Sequence, residues 1–412
     1  MIYIYRILIN FILLISPIII LIRLVSKKED PKRFLEKFGF FSKKRKRGKV
    51  LWFHTVSVGE LLSVISIIDK LEKDKRISQI LVTTTTLTSA KLFQKLNFKK
   101  TIHQFFPIDN DLITKKFIQY WKPCLAIFVD SEIWPNMLTN LDKQSIKKIL
   151  LNARVSKRSY RKWKLLGKFS ENLFKKFDYT FPQNLESKRY LKKLEVKKIR
   201  FLGNLKFSQK KILNDKLDKN LIKLIRTKKV WCAASTHDGE ENICLKVHNR
   251  LIKKYKNLML IIIPRHIVRV NSILKDISAL NLKPHLHSNK GDTDPKTNVY
   301  LVDTYGETEL FFNLCKNVFI GKSLTAFGGQ NPLEPARHNC SILHGPNVSN
   351  FTEIYEFLDR KKISIKVKNE SQLYSKIYKL ISRKNSVNIK DKINFIGLKI
   401  LNKNLMKIKS LI

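Results

Sequence analysis

The sequence predicts an α/β protein built from two doubly wound parallel-sheet domains behind a short apolar N-terminal segment, and three observations carry that reading. At 412 residues the chain exceeds what one hydrophobic core usually serves, so two domains of ordinary size fit it better. From Val50 onward, short apolar runs alternate with amphipathic stretches, the pattern of strands joined by helical crossovers. A second series of the same kind begins near Val230, and the two are joined near Ser208 to Arg226.

Ahead of the first series, Ile7 to Ile22 is an apolar run interrupted only by Asn10, Ser16 and Pro17, with Arg6 and Arg23 at its ends. A bilayer span takes roughly 20 apolar residues, so this run is marginal and relies on its arginines reaching the headgroups. No small-residue cleavage site follows it. Arg23 to Lys28 supplies charge instead, which predicts an uncleaved membrane anchor over residues 1–28. The basic cluster Lys43 to Lys49 then places the following domain on the cytoplasmic side of the inner membrane. A helix lying in the membrane surface is the alternative. The domains that follow are expected at 29–215 and 216–412, the second ending in an amphipathic helix after Ser382.

Within the first domain, Val50 to His54, Gln79 to Thr84, Leu125 to Val129, Ile149 to Leu151 and Ile199 to Leu202 read as strands. After Gly59 the period changes: Leu61, Val64, Ile65, Ile68 and Leu71 mark one face of a helix whose first turn holds Glu60. Glu60 is thereby delivered to the carboxyl edge of a strand, where open α/β sheets bind their ligands. The same residues also spell a capping box, with Ser57 accepting from the Glu60 amide and the glutamate returning to the serine amide. Asp130 and Glu132 in FVDSEIWPN come at another strand end. Either they share a pocket, one poised by the other, or they begin an ordinary helix at Pro135. Asn152, Arg154 and Ser156 end the next strand and Lys206 a later one, and together they would line a rim with anion-binding groups.

In the second domain the strand-like runs are those near Val230, Leu258 to Ile263, Val299 to Val302, Val318 to Ile320 and Ser341 to Leu343. Ser235 or Thr236 is expected to cap the helix that begins near Gly239. Pro264 and Arg265 follow one strand, Tyr305, Gly306 and Glu307 another. The run IGKSLTAFGGQNPLEP adds a Gly-rich turn and a helix entered at Asn331 and Pro332. Such a turn lets backbone amides approach a phosphate, while Glu334 can accept from ribose hydroxyls. The polar stretch Ser288 to Asn298 reads as a surface loop.

Composition narrows the class further. Lys and Arg total 81 against 33 Asp and Glu, a net charge of +48, which suits phosphates, anionic lipid or nucleic acid alike. Cys124, Cys232, Cys244, Cys315 and Cys340 are odd in number and lack close metal-ligand spacing, which argues against a disulfide framework or a zinc site. The histidines, His266, His338, His344 and the His285/His287 pair among them, are not spaced for a helical metal site either.

Taken in order, RFLEKFGF, FHTVSVGE, TTTTLTS, FPIDN, SEIWPN, LNARVSKRS, GNLKF, AASTHDGEE, IPRH, DTYGE, GGQNPLEPA and GPNVSNF resemble the 3-deoxy-D-manno-octulosonic acid (Kdo) transferases of lipid A biosynthesis, from about Arg33 to Phe351. The resemblance implies the glycosyltransferase B fold, two Rossmann-like domains facing across a cleft, the first holding mainly the acceptor and the second mainly the sugar nucleotide. It implies transfer of Kdo from CMP-Kdo to the 6'-hydroxyl of the lipid A precursor, lipid IVA. Glu60, the last residue of SVGE, corresponds to the general base, and Asp130 and Lys206 to the groups that stabilise the transition state. CMP falls to Pro264 and Arg265, to Tyr305, Gly306 and Glu307, and to Asn331, Pro332, Leu333 and Glu334. No metal and no cofactor are implied, and no nucleic-acid partner. The partners implied are the CMP-Kdo donor, the lipid acceptor and the anionic lipids of the inner membrane.

Several positions depart from the family pattern: Asp130 stands for a customary glutamate, Lys322 and Ser89 for glycines, Gln330 for a histidine and Tyr305 for a methionine. Two other readings of the residues are another membrane-associated glycosyltransferase of this fold using a different sugar nucleotide, and a basic non-enzymatic binder of anionic lipid or nucleic acid.

Overall fold

The computed structural model describes residues 1–209, 217–289, 293–382 and 388–412. Parts of the expected linker (210–216), of the expected surface loop (290–292) and of the tail (383–387) lie outside the described residues. Two compact units are present: Met1–Lys210 together with Ile396–Ile412, and Lys211–Phe395.

The first unit is a six-stranded, all-parallel sheet of β1 (Val50–His54), β2 (Gln79–Thr84), β3 (Thr101–Phe105), β4 (Pro123–Val129), β5 (Lys147–Ala153) and β6 (Tyr179–Pro182), in the order β3-β2-β1-β4-β5-β6. Helices cover both faces, so β1 and β2 are buried at every position, as near-continuous apolar strands of a parallel sheet must be. Trp52, Phe117, Trp121 and Phe128 fill the core on one side. The expected strand at Ile199 to Leu202 is reduced to a single bridge between Ile199 and Thr180, because β6 already closes that edge. Strands β3 and β6 escape the sequence reading: TIHQF is mostly polar and YTFP is only four residues long.

The second unit repeats the plan with β7 (Lys229–Thr236), β8 (Leu258–Pro264), β9 (Pro284–Leu286), β10 (Val299–Leu301), β11 (Asn317–Ile320), β12 (Ser341–His344) and β13 (Ser364–Lys366), in the order β13-β12-β11-β7-β8-β10-β9. Every pairing is parallel. Leaving aside the edge strand β9, both sheets have the Rossmann order, in which the chain leaves the first strand to one side and the fourth to the other. The gap between β1 and β4, and that between β7 and β11, are the switch points. Three-residue β9 and β13 carry too little pattern to be read from sequence.

Five helices of the first unit matter for the site: α1 (Ile2–Val25), α2 (Val58–Leu71), α3 (Leu87–Gln94), α4 (Asp111–Trp121) and α5 (Pro135–Lys143). Among the described residues α1 is the helix long and apolar enough to cross a membrane, judged by length and composition. At the other end of the chain lies the helix Ile389–Lys409. The expected division gives all of it to the second domain, but from Ile396 it belongs to the first unit. The reason is local packing. A Cβ on Gly203 would come within 2.7 Å of Ile400 Cγ1, and one on Gly397 within 2.4 Å of the Phe207 carbonyl oxygen. The tail helix is thus pressed against the turn that carries Lys206.

That contact predicts that Gly397→Ala destabilises the first unit by about 1–3 kcal/mol through a forced backbone shift. Thermal unfolding of the variant against the parent checks it; an unchanged melting temperature would remove the bracing role.

Candidate active site

In the first unit the side chains gather at the switch point. Ser57 caps α2, its Oγ accepting from the Glu60 amide at 3.3 Å. The carboxylate of Glu60 turns back over the helix start: Oε2 accepts from the Val56 amide at 2.6 Å and Oε1 from Ser57 Oγ at 3.2 Å. The expected return to the serine amide is replaced by a bond to the residue before it, because the chain leaving β1 presents the Val56 amide toward the helix start. The carboxylate that caps the helix start is thus left half-buried at the carboxyl edge of the sheet. Burial raises the Glu60 pKa to about 7, against the pull of the Val56 amide, and Glu132 and Asp130 add their negative charge to the upward shift. A carboxylate so tuned takes a proton from an alcohol more readily than an ordinary glutamate.

Asp130 ends β4 in a left-handed conformation, φ 65°, its amide donating to the Leu151 carbonyl and its carbonyl accepting from the Arg154 amide. Burial raises its pKa, while the charges of Lys206 and Arg154 oppose the shift. Glu132, two residues on, accepts from Trp134 Nε1 at 2.9 Å and faces His54 Nε2 at 3.5 Å. His54 is fully buried and stacked on Phe106, and burial lowers its pKa, so the imidazole is neutral. The two acids do share one neighbourhood with Glu60.

Lys206 comes from the turn after Gly203, whose φ of +99° favours glycine. Asn204 Oδ1 accepts from the Lys206 amide and Asn152 Oδ1 from the Leu205 amide, both at 3.0 Å. Ser66 of α2 donates to the Ser208 carbonyl at 2.6 Å, which ties the helix that carries Glu60 to the turn that carries Lys206. Burial lowers the Lys206 pKa, and the carboxylates of Asp130 and Glu60 hold it up. Glu60, Asp130, Glu132, Arg154 and Lys206 thus form one electrostatic cluster. Asn152 and Ser156, expected on an anion-binding rim, are scaffold: Asn152 is buried under the Lys206 turn and Ser156 caps the helix Lys157–Leu165. His54, which sequence reasoning passed over, carried a faint signal as the polar end of an otherwise apolar strand.

In the second unit the organising group is Glu240, fully buried and not anticipated from sequence. Its Oε2 accepts from the amides of His237 at 2.9 Å and Lys322 at 2.7 Å, and its Oε1 from those of Ser323 at 2.8 Å and Leu324 at 2.9 Å. The first amides of the Gly-rich turn therefore hold a carboxylate of the protein itself. Those of Gly328 and Gly329 donate to the carbonyls of Asn347 and Lys322. These amides are satisfied inside the fold, contrary to the expectation that they cradle a phosphate. Gly321 is required for this arrangement, since a Cβ there would lie 2.5 Å from the Ser235 carbonyl oxygen and 2.7 Å from Glu240 Oε2. The helix Glu240–Ile252 starts after left-handed Gly239 without a side-chain cap, so Ser235 and Thr236 do not cap it.

The residues expected to hold CMP come from three strand ends of this unit. Pro264 ends β8 and Arg265 is exposed beyond it, its amide donating to the Thr236 carbonyl. Exposed Tyr305 follows β10, and its hydroxyl accepts from the Ile267 amide at 3.4 Å, joining the β8 and β10 loops. Gly306 has φ +95°, and Glu307 pairs with His287 at 3.2 Å. Asn331 Nδ2 donates to Glu334 Oε1 at 3.1 Å and Asn331 Oδ1 accepts from the Leu333 amide, at the start of the short helix Leu333–Arg337 that follows Pro332. Burial and then Glu309 raise the Glu334 pKa, while Asn331, Arg337 and Arg265 pull it down. Lys322 occupies the left-handed region at φ 57°, where glycine is free and lysine is strained. Among the described residues no group of three or more His, Cys, Asp or Glu is placed to hold a metal, and the five cysteines are free thiols.

The Glu240 cage makes a specific prediction. Glu240→Gln replaces an acceptor-only group with one that also carries N–H donors, facing four amides, and is expected to destabilise the second unit by about 2–3 kcal/mol. Denaturant unfolding of the variant measures it; a change below about 0.5 kcal/mol would mean the cage is dispensable.

The chain is similar to known proteins over most of its length. A family model described as 3-deoxy-D-manno-octulosonic-acid transferase (kdotransferase) matches residues 32–209. The 3-deoxy-D-manno-octulosonic acid transferase of Rickettsia bellii is 34% identical over 389 residues, 93% of this chain and 91% of that one. The enzyme of the same name from Haemophilus influenzae is 30% identical over 85% of this chain and 84% of its own. Among solved structures, a glycosyltransferase from Rickettsia africae superposes with a TM-score of 0.59 at 10% identity, covering 89% of this chain and 99% of that one. The UDP-GlcNAc 2-epimerase of Neisseria meningitidis gives 0.57 at 12%, covering 88% and 99%. At such identities the structures speak for the fold alone, the two-unit glycosyltransferase B architecture. The sequence relatives speak for more: the chain belongs to the 3-deoxy-D-manno-octulosonic acid transferase family of glycosyltransferases.

Proposed function

We propose that the chain transfers Kdo from CMP-Kdo to the 6'-hydroxyl of the lipid A precursor, lipid IVA, at the cytoplasmic face of the inner membrane. The observation that carries the reading is the cluster at the first switch point, a glutamate with a pKa near 7 set among Asp130, Glu132 and Lys206. Glu60 takes the proton of the 6'-hydroxyl as its oxygen bonds to the anomeric carbon of Kdo. The bond from that carbon to the CMP phosphate oxygen breaks, and its electron pair leaves with CMP. Lys206 supplies positive charge where the Kdo carboxylate and the departing phosphate place negative charge, and Asp130 holds the lysine in its charged form. Pro264, Arg265, Tyr305, Gly306, Glu307, Asn331, Pro332, Leu333 and Glu334 bind CMP, and the relatives named for Kdo transfer support that donor. The apolar helix α1 and the basic residues that follow it support attachment to an anionic membrane.

Glu60→Gln is expected to lower turnover by about 10²–10⁴-fold. CMP binding, followed by calorimetry, is expected to survive, and CMP to displace a labelled cytidine nucleotide far better than UDP does. Loss of CMP binding in this variant would assign Glu60 to the donor instead.

The pH profile supplies an independent check. Glu60 must be ionised to accept a proton, so the rate is expected to rise with pH through about 7 and to fall again as Lys206 loses its proton below the usual lysine range. Glu132→Gln removes a negative neighbour of Glu60, lowers the Glu60 pKa and shifts the acid limb to lower pH. An acid limb that stays in place would exclude coupling between the two carboxylates.

A further inference from the structure

The N-terminal helix α1 does not stand clear of the protein. Tyr5 donates its hydroxyl hydrogen to Asp109 Oδ2 at 2.8 Å, Arg6 binds Asp111 at 2.5 Å and Asn136 at 3.0 Å, and Asn110 Nδ2 donates to Asn10 Oδ1 at 2.8 Å. The protected positions continue along the helix: Tyr5, Ile9, Leu13, Ser16, Ile20 and Leu24 recur every three or four residues and form one stripe turned inward. On the opposite side Ile7, Phe11, Leu14, Ile18, Leu21 and Val25 are between 61% and 78% exposed. One side of α1 is therefore docked on the first unit, and the other is an open apolar face.

The docking is incompatible with a span. A helix of 24 residues measures about 36 Å, so in a transmembrane orientation Asn10 would lie within roughly a turn of the bilayer midplane. Asp109 and Asp111 of the folded unit, bound to α1 in its first turns, would have to enter hydrocarbon with it, where carboxyl groups and the backbone around them are strongly disfavoured. Lying flat removes the conflict. The polar bonds to the unit remain, and the open face sinks into the acyl boundary of one leaflet. We propose that α1 is an in-plane dock for an anionic lipid leaflet, fixed to the first unit by Tyr5, Arg6 and Asn10, and that it does not cross the membrane. Exposed Lys27, Lys28 and Lys32 follow the helix and match an anionic headgroup layer. The clamp residues Asp109, Asp111 and Asn136 stand after β3 and β4, on the carboxyl edge that also carries Asp130. The leaflet is thereby held against the edge of the sheet where a lipid-borne hydroxyl would be used.

This inference rests on the membrane reading above, and its test separates the two. Asn10→Cys with Asn110→Cys, in a Cys124→Ser background, is expressed in full-length protein and oxidised in inverted inner-membrane vesicles. An in-plane helix gives the intramolecular cross-link in the vesicle-bound fraction, whereas a spanning helix carries residue 10 into the bilayer and gives none. The parent chain with an N-terminal epitope provides a second measurement that needs no cysteines. Protease added outside the vesicles is expected to remove the epitope without detergent, and an epitope protected until detergent is added would overturn the proposal. Protein that fails to float with the vesicles at all would overturn the membrane reading itself.

Discussion

A parallel sheet whose chain starts in the middle has to leave its first strand on one side and return on the other, and the gap this opens at the carboxyl edge is the constraint on which the molecule depends. Both units obey it. In the first, the gap between β1 and β4 receives the start of α2 with Glu60, and the turn after β4 with Asp130 and Glu132. In the second, the gap between β7 and β11 receives Glu240 and the Gly-rich turn. The same topology is used in two ways. The first unit leaves its carboxylate half-buried with a raised pKa, and the second consumes its carboxylate to fix the backbone of a loop.

Backbone strain marks these places. Asp130, Asn152, Ser235 and Lys322 all adopt positive φ without being glycine, and each lies at or just beyond the carboxyl end of β4, β5, β7 or β11. Such residues cost of order 1–3 kcal/mol and persist only where the surroundings over-determine them. The surroundings can be named. The Asp130 amide and carbonyl are held by Leu151 and Arg154, Asn152 by its bond to Leu205, and the Lys322 amide by Glu240. Asn152 and Ser235 are also where β5 and β7 slip register against their neighbours, so that the chain turns its next residues away from the sheet and toward the site.

Charge is distributed with a similar economy. The chain carries +48 overall, and six of its 33 acids fall in three tight groups. Asp130 and Glu60 face Lys206 with Glu132 beside Glu60, Asp109 and Asp111 hold the N-terminal helix, and Glu240 holds the Gly-rich turn. In a protein this basic, an isolated lysine says little, whereas a buried carboxylate is informative because desolvation has to be offset by specific donors.

The sequence by itself determined the two parallel-sheet domains, the strand-end positions of Glu60, Asp130 and Arg265, and the family, because period, turn residues and ordered motifs are local properties of the chain. It did not reveal β3, β6, β9 or β13, whose runs are short or polar and become strands only when a neighbouring strand supplies their hydrogen bonds. Nor did it reveal the burial that lifts Glu60, the cage around Glu240, or the tail helix braced on the Lys206 turn. Each joins residues dozens to nearly two hundred positions apart, and desolvation and close packing exist only once the distant segments have met.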